Sequence, residues 1–189
     1  MASFAVLYDA CIFYPAPLRD LMVRLAMTRE FRARWTLQIQ EEWIRALLRS
    51  RPDLQEKSLR QAAKNMDKAV PDCLVEGYEP WIANLELPDP DDRHVLAAAI
   101  HVGAQCIVTT NLKDFPGERK KPFGIKALDP DGFVLDLADL KPDVLVRVAK
   151  EQRAALKNPP YTAPDFINRL GRQGLSGVAD FLEAWRDVI

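Results

Sequence analysis

The chain has 189 residues, of which 48% are hydrophobic and 28% charged, with a net charge of −1. That is enough apolar matter for one domain with a real core, or one domain with an appendage, and it excludes global disorder. The near-zero charge excludes a strong overall field toward nucleic acid or membrane, so any such binding has to come from local basic clusters.

In chain order, "FAVLYD" (Phe4 to Asp9) is an unbroken apolar run ending in an acid, the pattern of a strand buried on both faces of a parallel sheet. "ACIFYPAP" turns, stiffened by Pro15 and Pro17. "LRDLMVRLAMT" puts Leu18, Leu21, Met22 and Leu25 on one helical face. A second helix is predicted over Ile39–Arg49, burying Ile39, Trp43, Ala46 and Leu47, and a third over Leu54–Ala69 with a basic surface of Lys57, Arg60, Lys64 and Lys68. "DRHVLAAAIHVG" reads as a helix closed by Gly103. "QCIVTT" is a second buried strand, and "GIKALDP" a third, ending near Asp129. Strands alternating with helices predict an α/β fold with a mainly parallel sheet. From Lys141 onward the strands stop, and three helices follow, with "KNPPYT" as a hinge between the first two. The expected division is residues 1–140 as one domain and 141–189 as a helical C-terminal extension.

Cys11, Cys73 and Cys106 are odd in number and lack CxxC spacing, which predicts small buried hydrophobes in a reducing compartment. The opening residues have no basic region before their apolar run, so a signal peptide is not expected. Nor does any apolar run reach the ~18 residues of a spanning helix. A cytoplasmic protein with no membrane partner is the expectation.

In a parallel α/β sheet ligands bind beyond the C-terminal ends of the strands. Asp9 falls there, and so do Thr109, Thr110 and Asn111. The stretch "LPDPDDRHV" adds three aspartates at a helix start. Each cluster also has a plain structural reading: a turn-opening Asp9, an N-capping Asp91 or Asp92, and an Asx-turn at Asp89 before Pro90. His94 and His101 lie on one helix flank without a third ligand, so a structural role is expected rather than zinc. Phosphate-binding glycine loops and nucleophile elbows are absent.

Together "VLYDACIFYP", "IQEEWIRALL", "LPDPDDRHVLAAAIHVGAQCIVTTNLKDFP" and "ALDPDGFVLDL" resemble the PIN domain, the nuclease fold of VapC-type toxins, over about residues 4 to 138. The resemblance implies a central mainly parallel sheet flanked by helices, and acids converging on divalent metal, Mg²⁺ or Mn²⁺, at its C-terminal edge. Carried over by position, the metal-holding and catalytic acids are Asp9, Glu42 and Asp92, with Asp89 as an outer helper. Helical periodicity does not separate Glu42 from Glu41; the resemblance favours Glu42. A fourth family acid falls at Asn111, a departure: either Asn111 holds one metal site more weakly, or Asp114 three residues later serves as catalytic acid and metal ligand instead. Thr110 is expected to bond a carboxylate or a metal-bound water. Arg45, Arg49, Arg119, Lys120 and Lys121 are candidate phosphate contacts, each with a solvated surface as the plain alternative.

The activity so implied is metal-dependent hydrolysis of RNA by the toxin of a type II toxin–antitoxin pair, with a cognate antitoxin as partner. The rival readings are a non-catalytic PIN-like RNA- or protein-binding module and a structure-specific DNA nuclease. The C-terminal helices are a candidate surface for the antitoxin, for a second copy in a homodimer or for RNA, against plain completion of the core.

Overall fold

A computed structural model of the chain describes residues 4–189. Four parallel strands form one sheet in the order β2-β1-β3-β4: β1 Ala5–Tyr8, β2 Arg32–Arg34, β3 Cys106–Val108 and β4 Lys126–Leu128. β1 and β3 are central and every residue in them is buried, as an apolar run covered by helices on both faces requires. They pair in register Val6–Cys106, Leu7–Ile107 and Tyr8–Val108.

The sequence reading gives three strands, and the structure has a fourth in β2. "RAR" escaped because an edge strand of three residues with a single buried side chain, Ala33, has no apolar run to detect. Arg32 on β2 and Lys126 on β4 are both exposed on the two edge strands, a placement that discourages edge-to-edge association.

The helices are α1 Ala10–Phe13, α2 Ala16–Met27, α3 Leu37–Ser50, α4 Glu56–Ala69, α5 Glu79–Ile82, α6 Arg93–His101, α7 Gly117–Lys120, α8 Pro130–Leu140, α9 Pro142–Ala155, α10 Ala163–Gly171 and α11 Ser176–Glu183. Thr36 starts α3 by accepting the Ile39 N–H at 3.0 Å. On α3, Ile39, Gln40, Trp43 and Ile44 are buried, whereas Ala46 and Leu47 are only half-buried, so the inward face lies nearer Ile44 than periodicity alone suggested. α6 begins one residue after Asp92, behind a 3₁₀ turn over Pro90–Asp92. Gly103, at φ +61, closes it: the Ala104 N–H reaches back to the Ala99 carbonyl at 2.8 Å.

"DPDGFVLDL", left without an element in the sequence reading, is α8. Asp129 caps it by accepting the Gly132 N–H at 2.8 Å. α9 packs on α2 and on α8, α11 packs on α8 and α10, and α10 also meets α2. The C-terminal helices therefore share the core rather than hang from it, with Val144, Leu145, Val148, Phe166, Ile167, Leu170 and Val178 buried. No helix of the described residues is long and apolar enough to cross a membrane.

Candidate metal centre

The chain leaves β1 toward β2 on one side, and β3 lies on the other. The crevice above the C-terminal ends of β1 and β3 is therefore the topological switch point of the sheet, where loops diverge and leave space. Asp9 and Thr109, each one residue past its strand, stand there. Asp9 is 6% exposed and its carboxylate is held from several directions. Oδ1 accepts the Ala10 N–H at 2.6 Å, while Oδ2 accepts from Thr109 Oγ1 at 2.6 Å and from the Cys11 thiol at 3.3 Å. Burial, and then the Asp9 charge, push the Cys11 pKa up to about 11, so it remains a neutral S–H donor.

Asp92 reaches the same crevice from the start of α6 and is in the opposite condition. Its Oδ2 is buried with no hydrogen-bond partner. Burial, then the charges of Asp9, Asp89 and Asp114, raise its carboxyl pKa to about 7, with His94 pulling weakly the other way. Carboxylate oxygens of Asp89, Asp92 and Asp114 lie within 4.8 Å of one another. Asp89 also caps the 3₁₀ turn, accepting the Asp91 N–H at 2.9 Å. Asp114 comes from a 3₁₀ turn after β3, and Asn111 Nδ2 donates to its Oδ2.

Glu42 does not join that three-acid group. It leans from α3 toward α6, with Oε1 2.8 Å from His94 Nε2 and 3.3 Å from Gln38 Nε2. His94 is 3% exposed, and the Glu42 contact lies outside hydrogen-bond alignment, so both ring nitrogens lack hydrogen-bond partners. Glu41 turns away to Arg60 on α4, at 2.5 and 3.2 Å, and that guanidinium holds its carboxyl below the usual range.

Two sequence expectations are corrected, at Thr110 and Lys120. Thr110 is exposed and meets Cys11, its N–H donating to Sγ at 3.2 Å, while Thr109 bonds the carboxylate. The β1–β3 register explains this, since Tyr8 faces Val108 and the next pair is Asp9 and Thr109. Lys120 is buried and its ammonium donates to the Phe115 carbonyl, so it is not free for phosphate. Arg119 is paired with Glu86 at 2.8 Å. Lys121, Arg45 and Arg49 are exposed. His94 and Cys11 were the functional neighbours that sequence reasoning missed; both carry a spacing signal, two residues beyond Asp92 and Asp9.

The donor set is all carboxylate, with one buried oxygen unmatched, and burial followed by carboxylate repulsion raises the Asp92 pKa to about 7. An oxygen-preferring divalent cation fits such a group, because it supplies the missing partner and cancels the repulsion. Asp89, Asp92 and Asp114 could hold it, with Asp9 close enough to act on the Asp92 charge.

Comparisons with known proteins agree with this architecture. A family model described as the PIN domain matches residues 5–113, and one described as the VapC50 C-terminal domain matches residues 130–184. The curated "Putative ribonuclease VapC50" of Mycobacterium tuberculosis (strain ATCC 25618 / H37Rv) is 48% identical over 97 residues. The aligned segment covers 51% of this chain and 57% of that relative, so the two are matched over little more than half their lengths. No solved structure matches the chain. With the PIN-domain match extending over more than half of its residues, the chain belongs to the PIN-domain family.

Proposed function

We propose that the chain is a divalent-metal-dependent endoribonuclease, using Mg²⁺ or Mn²⁺, and that it acts as the toxin of a type II toxin–antitoxin pair. The observation that carries the reading is Asp92: a carboxylate with a buried unpartnered oxygen, crowded by Asp9, Asp89 and Asp114. A buried oxygen in that condition calls for a partner, and a divalent cation is one that also offsets the carboxylate crowding. The VapC50 relative's name supports the ribonuclease class and with it RNA as substrate; the antitoxin partner follows from the resemblance to VapC-type toxins.

Within this reading Asp9 is the rigid element, its orientation held by Thr109, Cys11 and the Ala10 amide. Asp92 and Asp89 converge on the crevice from the start of α6, and Asp114 from the far side. Asn111 offers a neutral amide where the resemblance implies an acid, and steadies Asp114 through its Nδ2. Glu42 is held at the rim beside His94, positioned to accept a proton or a water hydrogen bond at its free oxygen. A bound divalent cation would lower the pKa of water and stabilise charge on the scissile phosphate.

The test is cleavage of a single-stranded RNA with Mg²⁺ or Mn²⁺, with excess chelator, and with Asp9→Asn. Metal-dependent cleavage lost in the variant supports the reading; chelator-resistant cleavage, or an equally active variant, overturns it. A non-catalytic binding module is the second reading, favoured by Asn111 at the fourth position and by Glu42 lying outside the three-acid group. RNA binding without cleavage under any of these metals would select it.

A further inference from the structure

The loop between α9 and α10 lies on the same rim as the carboxylates. α2 begins just after α1, which Asp9 caps, so its first turn is at the C-terminal edge of the sheet. α8 also starts at that edge, from Asp129 at the end of β4, and α9 packs along it after a one-residue break. α9 therefore returns to the edge where α8 began. Gln152 in its last turn confirms the arrangement by donating Nε2 to the Pro17 carbonyl at 2.9 Å. The Leu156–Thr162 loop and the start of α10 follow directly.

This rim carries an open groove shared by Pro159, Tyr161 and Arg169, with Lys157 on one flank and Arg172 on the other. The Arg169 guanidinium lies 5.0 Å from the Tyr161 ring centroid and bonds its hydroxyl. Arg153 fixes the loop from beneath by donating to the Tyr161 carbonyl at 3.0 Å. Lys157 and Arg172 are exposed and, among the described residues, have no ion-pair partner. The one acid in the groove, Asp165, is engaged by the Thr162 hydroxyl at 2.6 Å. None of the exposed large hydrophobic side chains lines it, so it lacks the apolar anchors on which protein interfaces depend.

We propose that this groove, formed by Lys157, Tyr161, Arg169 and Arg172, holds a single-stranded RNA segment leading out of the carboxylate site. An arginine-backed aromatic ring flanked by unpaired cations is a stacking platform with phosphate contacts, tolerant of base identity. The inference rests on the ribonuclease reading for its choice of RNA. It gives the C-terminal helices a role beyond completing the core, because they alone supply these four residues.

The experiment measures binding of a fluorescent 20-nucleotide single-stranded RNA in excess chelator, at several salt concentrations. The subjects are the full chain, the double variant Lys157→Glu/Arg172→Glu, and a control of equal charge change, Lys141→Glu/Arg147→Glu. Removing two phosphate contacts should flatten the slope of log K against log salt by about 1.4, since each contributes about 0.7 on a single strand, and weaken low-salt binding at least about tenfold. The control should move neither, and all three proteins should melt alike. Equal losses in both variants mean general charge and overturn the proposal; so does unchanged binding in the first. If the double variant keeps RNA binding but loses an acidic protein partner, the groove is a protein site and the proposal fails. Binding in chelator is read separately from cleavage: a wild-type chain that binds RNA through this groove yet never cuts it defeats the ribonuclease reading, not this one.

Discussion

Asp92 and Asp131 are both half-buried aspartates in the first turn of a helix or at its threshold, one at the sheet edge and the other among the C-terminal helices. Asp131 reaches from α8 to the start of α11, where its two oxygens accept the Gly177 and Val178 N–H groups at 2.8 Å each. Asp92 has a buried oxygen with no donor and three carboxylates around it. The first satisfies orphan helix amides and joins two helices. The second has a raised pKa that costs stability at neutral pH, the condition that the proposed cation would relieve. The two acids differ in whether their hydrogen-bonding capacity is used within the fold, and on the proposed reading that difference marks Asp92 as the functional one.

The contrast breaks most readily by exchanging the losses. Asp92→Asn should cut RNA cleavage by at least about a hundredfold, because several kcal/mol of charge stabilisation depend on the cation it helps to hold. Asp131→Ala should leave cleavage per folded molecule nearly unchanged while costing about 2 kcal/mol of stability, the price of two uncapped amides. Paired kinetic and chemical-denaturation measurements check both; a stability loss in Asp92→Asn with cleavage intact would reverse the assignment.

A smaller effect tests α3. Glu42→Gln should slow cleavage severalfold or more, whereas Glu41→Gln should change only the exposed pairing with Arg60 and leave the rate alone. Equal rates in the two variants would remove Glu42 from the site.

The pH dependence of the metal-free chain sharpens the comparison further. Asp92 has a folded pKa of about 7 against an ordinary value of 3.8, so between those values the folded state binds more protons than the unfolded one. Its contribution to stability is present below about pH 4 and is lost as pH rises through about 7. In chelator, Asp92→Asn should therefore melt above wild type at pH 8, with the gap closing toward pH 4. A gap independent of pH would mean that the carboxyl is not perturbed.

The smallest expected change is at the far side of the crevice. Asp114→Ala should raise the Mn²⁺ concentration for half-maximal cleavage a few-fold, and Asn111→Asp should lower it. If neither titration midpoint moves, this segment lies outside the metal shell.

Much of this architecture was legible in the sequence. β1 and β3 could be read because strands buried on both faces must be apolar throughout. β2 could not, because an edge strand needs only Ala33 inside and tolerates arginine on either side. Asp9 and Asp92 were legible as acids at a strand end and a helix start. Their partners were not: Thr109 rather than Thr110 is chosen by sheet register, and His94 meets Glu42 only because α3 and α6 converge. Lys120 looked like a surface cation, but its apolar stem lets it lie inward with the ammonium on a carbonyl. Long-range pairing decides each of these, and it leaves no local pattern.

The most direct test of the central claim is cleavage of single-stranded RNA by chelator-stripped protein before and after adding Mn²⁺. The expected result is no cleavage when stripped, cleavage restored by the metal, and no restoration in Asp92→Asn. Cleavage by the stripped wild type, or full restoration in Asp92→Asn, would contradict the account.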